Sequence, residues 1–222
     1  MEKRLLFISL GTAAALLLSL IRRKKYKIGL LKSILLTFLF MSMAIIGALG
    51  MGVLEGSGFG TISLYGSIFF IPISITVYCR IAKESTAKML DYFVPQICAG
   101  LAPVKLMCLT GGCCYGMKLF EKADGTIVRF PSQIAELCTS LVIMLILLYF
   151  EKKNLFTGKH YPIFFIIYGA TRFILNSLRG GTTPFVWFLP AGHFWSIVAI
   201  VIGLMWLILA QKDDEPANEI TK

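Results

Sequence analysis

The stretch LLFISLGTAAALLLSLIRRKK, from Leu5 to Lys25, decides the fold. Leu5 to Ile21 is apolar and close to the ~18–20 residues that cross a bilayer as a helix. The short basic segment before it, Met1 to Arg4, is what a secretory leader would also show. The run ends, however, in Arg22-Arg23-Lys24-Lys25 and not in small residues fit for cleavage, so it reads as a retained first span. Working outward, comparable runs recur along the chain. They cover Ile28 to Val53, Ile62 to Val77 with a kink at Pro72, Leu90 to Leu109 with Pro95 and Pro103, Ile134 to Phe150, Ile163 to Leu178, and Phe194 to Ala210. One soluble core cannot bury so many separate helices within 222 residues. Composition agrees, with 57% hydrophobic and 15% charged residues against roughly half and a quarter in soluble domains. The expected fold is all-α, a polytopic membrane protein of about seven transmembrane helices. Residues 1–211 form a single domain, and 212–222 an acidic tail without fixed structure.

In a soluble protein, the formal net charge of +10 would suggest a nucleic-acid partner. Here the basic residues flank apolar runs, which points to topology and anionic lipid and away from nucleic acid. Alternate loops divide unequally. One set holds Arg22 to Lys27, then Arg80, Lys83 and Lys88, then Lys152, Lys153 and Lys159. The other holds Lys3 and Arg4, the turn from Glu55 to Gly60, then Lys118, Lys122, Arg129 and Arg179. The richer set belongs in the cytoplasm, so the expected topology is N-out and C-in. The spans show no internal repeat, which disfavours the inverted-repeat plan of many transporters.

Of the six cysteines, Cys79, Cys98, Cys108 and Cys138 lie in or beside apolar runs, where a thiol is usually a small buried hydrophobe. Cys113 and Cys114 are adjacent, which is poor geometry for a mutual disulfide. No second Cys/His pair stands at zinc-like spacing, so no metal and no cofactor are expected.

Ionisable residues inside apolar spans are functional candidates. Lys105 lies in such a run with no neighbouring charge and reads either as a snorkelling lysine or as a fixed cation facing the bundle. Tyr168, Arg172, Asn176 and Arg179 recur at spacings of four, four and three, which puts them on one helix face. Two arginines on one stripe suit either interhelical contacts or a phosphate, which the planar guanidinium can grip with two hydrogen bonds. Glycine clusters at Gly56 to Gly60 and Gly111 to Gly116 can bring backbone N–H groups to an anion, although tight turns also need glycine. Pro131-Ser132-Gln133 caps the fifth span, and Glu136 follows one turn later, free to pair with a cation. His193 reads as an interfacial residue or a base. Trp187 and Trp195 read as interface anchors.

In their order along the chain these pieces resemble the prolipoprotein diacylglyceryl transferase family. The most specific part is Lys105-Leu106-Met107-Cys108-Leu109-Thr110-Gly111-Gly112-Cys113-Cys114-Tyr115-Gly116. Supporting it are Ser63-Leu64-Tyr65-Gly66, Pro131-Ser132-Gln133 with Glu136, Tyr168-Gly169 with Arg172 and Arg179, and Gly192-His193 with Ser196. The resemblance implies a seven-span bacterial plasma-membrane enzyme, N-out and C-in. Such an enzyme moves a diacylglyceryl group from phosphatidylglycerol to the lipobox cysteine in a preprolipoprotein signal peptide, and glycerol phosphate leaves. It places Lys105 at the family's phosphate-binding arginine and Arg172 at its second essential arginine. With Tyr65 and His193 as candidate proton acceptors, these are the expected catalytic residues. Gly66, Cys108, Gly116, Gln133, Glu136, Tyr168, Asn176 and Arg179 are the expected substrate-binding set.

The sequence departs from the family pattern at several of these positions. Lys105 stands where many members have arginine, Tyr65 where histidine is usual, Cys108 where asparagine is common and Asn176 where glutamate is. The first span lacks a tyrosine-glycine pair. The alternatives are therefore a homologue that binds lipid or assists assembly without transfer, and a small transporter. A transporter would place its charges near mid-bilayer, whereas here they crowd toward the span ends.

Overall fold

A computed structural model describes residues 2–56, 62–181 and 184–212. Seven helices run through the described residues: α1 (Glu2–Arg22), α2 (Leu30–Leu54), α3 (Leu64–Ala82), α4 (Thr86–Thr110), α5 (Ser132–Lys153), α6 (His160–Ser177) and α7 (Ala191–Lys212). Each coincides with an apolar run of the sequence, with ends that differ from the expected ones by a few residues in either direction. The prolines at 72, 95 and 103 are accommodated inside α3 and α4. Six of the helices are long and apolar enough to cross a membrane, and α6 is the exception. It is short, and its buried face carries Tyr168, Arg172 and Asn176 in place of aliphatic side chains. Of the expected acidic tail, 212–222, Lys212 closes α7 and 213–222 lie outside the described residues, as do residues 57–61, most of the first glycine cluster.

Helix α4 is the axis of the bundle. Two-thirds of its apolar window is buried inside the protein, against at most 44% for the other five candidate spans. The broad contacts are α1 with α4, α4 with α5, α2 with α3, and α6 with α7. Glycines make three of these close, since a Cβ on Gly11 would lie 2.8 Å from the Gly100 carbonyl oxygen, on Gly66 2.0 Å from that of Gly47, and on Gly169 2.9 Å from that of Ser196. Between helices in lipid, where apolar burial drives little, such backbone approach supplies the packing. Outward faces stay apolar, as at Leu31, Val77, Ile81 and Ile174.

Two buried polar layers cap the two ends of α4. At its beginning, Arg22 donates to Glu151 (2.7 Å), to the Tyr92 carbonyl (2.5 Å) and to the Asp91 carbonyl (3.0 Å). The Asp91 carboxylate accepts from the backbone N–H groups of Gly158 and His160. Tyr92 shares its hydroxyl with Ser19 and Ser33. This knot joins α1, α2, α4, α5 and α6 on the side of the basic loops. The second layer, around Lys105, lies roughly 21 Å further along the helix at 1.5 Å per residue.

Two hairpins stand at the second end. The first pairs β1 (Lys118–Glu121) with β2 (Ile127–Arg129), in the segment between α4 and α5. Its turn is Asp124-Gly125, with Gly125 at φ +82° and the Asp124 carboxylate accepting from Thr126 N–H at 2.9 Å. The second pairs β3 (Pro184–Val186) with β4 (Leu189–Pro190) and exposes Trp187 and Phe188 at its tip. An apolar tip of this kind suits the interface anchor expected of Trp187. Trp195 differs: it is packed among Phe69, Phe185 and Phe194, between α3 and α7.

Candidate functional site

The site is assembled from the ends of four helices. The last turns of α4 carry Lys105 and Cys108, and the first turns of α5 carry Ser132, Gln133 and Glu136. The inward face of α6 carries Tyr168, Arg172 and Asn176, buried together while Phe173 and Ile174 on the opposite side are exposed. The four-residue spacing therefore does place the stripe toward protein. Tyr65, one residue into α3, completes the ring.

Glu136 is the centre. One of its carboxylate oxygens meets the Lys105 ammonium and the other meets the Arg172 guanidinium. Lys105 is only 4% exposed, so it does not snorkel to the surface. The sequence offers Glu136 as the partner of a cation, and in the structure it bridges two. Arg179 and Glu55 line the same cavity, so three cations stand against two carboxylates, Glu55 and Glu136. Among the described residues, Arg172 Nε, Arg179 Nε and Asn176 Nδ2 are buried without a protein acceptor. Buried donors without acceptors are costly, and those beside an excess of positive charge call for an anion.

The cavity that these groups line has a volume of about 340 Å³ and also meets Ser63, Tyr65, Cys108, Cys114 and the backbone around Gly180 and Gly192. Ile62, Leu64, Val104 and Met107 form part of its wall and also of an apolar cavity of about 90 Å³ that continues between α1, α2, α3 and α4. A separate apolar groove of about 620 Å³ lies between α3, α6 and α7, lined by Phe69, Pro72, Trp195 and Trp206 among others. The first arrangement offers a charged group and an attached hydrocarbon chain adjoining places.

Other expected site residues take different positions. The Tyr65 hydroxyl lies 2.5 Å from Ser196 Oγ, and its ring meets that of Tyr168 edge-on at 5.9 Å. His193 does not line the cavity. Its Nε2 pairs with Ser177 Oγ at 3.1 Å, and its ring packs edge-on against Phe173. Gly66 is a contact point of α3 with α2, as described above. Gly116 is also a close-packing position, because a Cβ there would stand 2.1 Å from the Phe130 carbonyl oxygen. Ser132 does not cap α5. Its hydroxyl donates to the Cys114 carbonyl at 2.5 Å, and Gln133 donates to the Cys113 carbonyl at 2.8 Å. The loop after α4 is thus pinned by the start of α5. It is also stitched to the end of α6 by Met117 N–H to Leu178 O (2.9 Å) and Gly180 N–H to Tyr115 O (3.1 Å).

This pinning has one result that the sequence reading missed. The thiols of Cys108, Cys113 and Cys114 lie within 4.8 Å of one another. A hydrogen bond from the Cys108 thiol, together with the charges of Arg179 and Lys105, outweighs burial and holds the Cys114 thiol below its ordinary value. The linear spacing hid the group because Cys108 ends a helix and the adjacent pair follows the turn. The other feature missed is the Arg22–Glu151–Asp91 knot, whose only sequence signal is two acidic residues among basic loops.

A comparison with known proteins fits this geometry. The model of the prolipoprotein diacylglyceryl transferase family matches residues 5–209. A Clostridium tetani protein named phosphatidylglycerol–prolipoprotein diacylglyceryl transferase is 30% identical over 159 residues, covering 67% of this chain and 63% of the relative. A Clostridium perfringens protein of that name, numbered 2, is 26% identical over 160 residues, 68% of this chain and 61% of its own. A Dehalococcoides mccartyi protein of the same name is 23% identical over 180 residues, 76% and 68% of the respective chains. The matched part thus spans a little over three-fifths of the first two relatives. With nearly its whole length under the family model, and with the two cations of the motif joined by one carboxylate in a membrane bundle, this multi-pass membrane protein belongs to the prolipoprotein diacylglyceryl transferase family.

Proposed function

We propose that this chain transfers a diacylglyceryl group from phosphatidylglycerol to the lipobox cysteine of a bacterial preprolipoprotein and releases glycerol phosphate. The observation that carries the reading is the excess of buried cationic donors around Glu136 in a cavity whose wall is shared with an apolar one. A phosphodiester with acyl chains has that same division. Arg172 and Arg179 offer the phosphate their unpartnered Nε donors, and Asn176 offers Nδ2. Glu136 holds Lys105 and Arg172 in place and keeps their mutual repulsion tolerable while the cavity is empty. As the bond from the glyceryl carbon to the phosphate oxygen breaks, charge grows on that oxygen. Cations fixed in a dry site stabilise it more there than in the starting diester. The incoming sulfur attacks the glyceryl carbon as a thiolate.

The site stands at the end of the bundle opposite the basic loops. The positive-inside tendency supports a cavity in the outer leaflet of the plasma membrane, with the N-terminus outside and the C-terminus in the cytoplasm.

Incubation of the purified protein with phosphatidylglycerol and a lipobox peptide tests the reading. Mass spectrometry should find glycerol phosphate and the diacylglyceryl thioether in equal amounts. Tight lipid binding with no thioether would favour a lipid-binding homologue instead.

A further inference from the structure

The transfer leaves one requirement unmet by the groups above. The acceptor thiol must lose its proton, yet among the described residues no histidine lines the cavity, Glu136 is engaged with two cations, and the Tyr65 hydroxyl is paired with Ser196. Beside these groups stand the three thiols. Cys108 and Cys114 face the cavity that holds Lys105, Arg172 and Arg179, and Cys113 is at the exposed rim.

The backbone around them is shaped to bring neighbouring side chains to one point. Adjacent residues in extended chain point to opposite sides. Cys114 escapes this by adopting φ +56°, a left-handed conformation that is uncommon for any residue but glycine. Such outliers persist where surrounding contacts fix them, and they concentrate at functional sites. Ser132 and Gln133 hold the carbonyls of Cys114 and Cys113, which leaves the thiols to converge. Sulfur ligands about 2.3 Å from a tetrahedral zinc ion are roughly 3.8 Å apart. The present separations, all within 4.8 Å, need only a small contraction to reach that.

We propose that Cys108, Cys113 and Cys114 bind one thiophilic divalent ion of the zinc class at the cavity rim, leaving its fourth tetrahedral position for the thiolate of the acceptor cysteine. The second half rests on the transferase reading, and the first half does not. Three protein ligands with one open position is the pattern of zinc sites that do chemistry. Three thiolates on a divalent ion carry one net negative charge, and it would stand beside the Lys105 and Arg179 cations that line the same cavity. In the step itself, the acceptor S–H gives its proton to solvent water as its sulfur takes the open position. That sulfur then forms the C–S bond with its electron pair. The C–O bond breaks, and its pair leaves on the oxygen of glycerol phosphate. The neutral thioether is a poorer ligand than a thiolate and departs.

The test uses the full chain, purified in detergent, stripped by a chelator and titrated with Co²⁺ as a coloured stand-in for zinc. One equivalent should bind with tetrahedral d–d absorption and thiolate-to-cobalt charge transfer, and Zn²⁺ should displace it. Cys113→Ser, at the rim, should weaken binding by more than about tenfold, since even outer-shell changes at metal sites cost 10–100-fold. Its helical circular dichroism should match the unaltered protein. A lipobox peptide should strengthen the charge-transfer band, and a peptide with serine for cysteine should not. Absence of Co²⁺ absorption in the unaltered chain, or a Cys108 disulfide to Cys113 or Cys114 that persists after reduction and reloading, would overturn the site. A site that binds Co²⁺ but ignores the peptide would overturn the fourth-ligand assignment. The transferase reading stands or falls separately, on the thioether assay.

Discussion

Lys105 of α4 and Arg172 of α6 are held by the two oxygens of a single buried carboxylate, that of Glu136 on α5. Three helices are therefore fastened through charge at one point, and the fastening sits against the cavity. Removing the carboxylate leaves two cations facing each other in a dry site. Loss of one partner from a buried ionic group costs about 3–5 kcal/mol. Glu136→Gln should accordingly lower the thermal midpoint in detergent well below that of the unaltered protein. Added anionic lipid should recover more of the loss in the variant than it adds to the parent. An unchanged midpoint would show that the carboxylate is not the clamp.

The two cations should not be equivalent to neutral side chains of similar length. Lys105→Met and Arg172→Met should each abolish transfer, read as thioether product, while the protein still inserts in the membrane. Lys105→Arg should retain transfer or increase it, because a guanidinium can grip a phosphate with two bonds where an ammonium is a point charge. Full activity in Lys105→Met would remove Lys105 from the site.

Gly66 and Gly50 make a controlled pair. A Cβ on Gly66 would lie 2.0 Å from the Gly47 carbonyl oxygen, whereas one on Gly50 meets nothing within 4 Å. Gly66→Ala should force α3 away from α2 and destabilise by about 1–3 kcal/mol, the usual range for overpacking. Gly50→Ala should be neutral or slightly stabilising, since alanine favours helix. Thermal unfolding of the two variants side by side decides whether Gly66 is a packing residue.

The thiol of Cys114 gives a dependence on pH. Its ionisation lies below that of an ordinary cysteine, so the thiolate survives to lower pH. In chelator-stripped protein, alkylation at Cys114 by an uncharged reagent should stay fast as pH falls from about 8.5, where a free cysteine is already half protonated. A free cysteine added to the same reaction should slow over the same range. Peptide mapping follows Cys114 while the free adduct is measured alongside. Equal slowing of the two would contradict the shift.

The helices were legible because a membrane span must satisfy its own backbone and so shows as a long apolar run. Lys105 and the Tyr168–Arg172–Asn176 face were legible for the complementary reason that charge inside such a run is expensive. What escaped notice depends on meetings between separate segments. Gly47 and Gly66 sit on different helices, and nothing in either run marks them as partners. Asp91, Glu151 and His160 lie at span ends, where solvent is the ordinary surrounding, and only the packing of α4 at the centre buries them. The hairpin at Asp124-Gly125 did carry its turn signal, but its strands are too short to show alternation. His193 reads from the sequence as an interfacial residue or a base, and the start of α7 turns it toward Ser177 and away from the cavity.

The four residues common to the polar and apolar cavities, Ile62, Leu64, Val104 and Met107, have a kinetic consequence. In the transfer proposed above, a donor lipid would lie across them, and its two products would part company. Glycerol phosphate has no hydrocarbon and escapes through the charged mouth into water, where it is diluted. The lipidated peptide keeps both acyl chains and drifts sideways into the bilayer. Reversal would require a solute from three dimensions and an anchored chain from two to return together, so partition between phases makes the reaction run one way without any further source of energy.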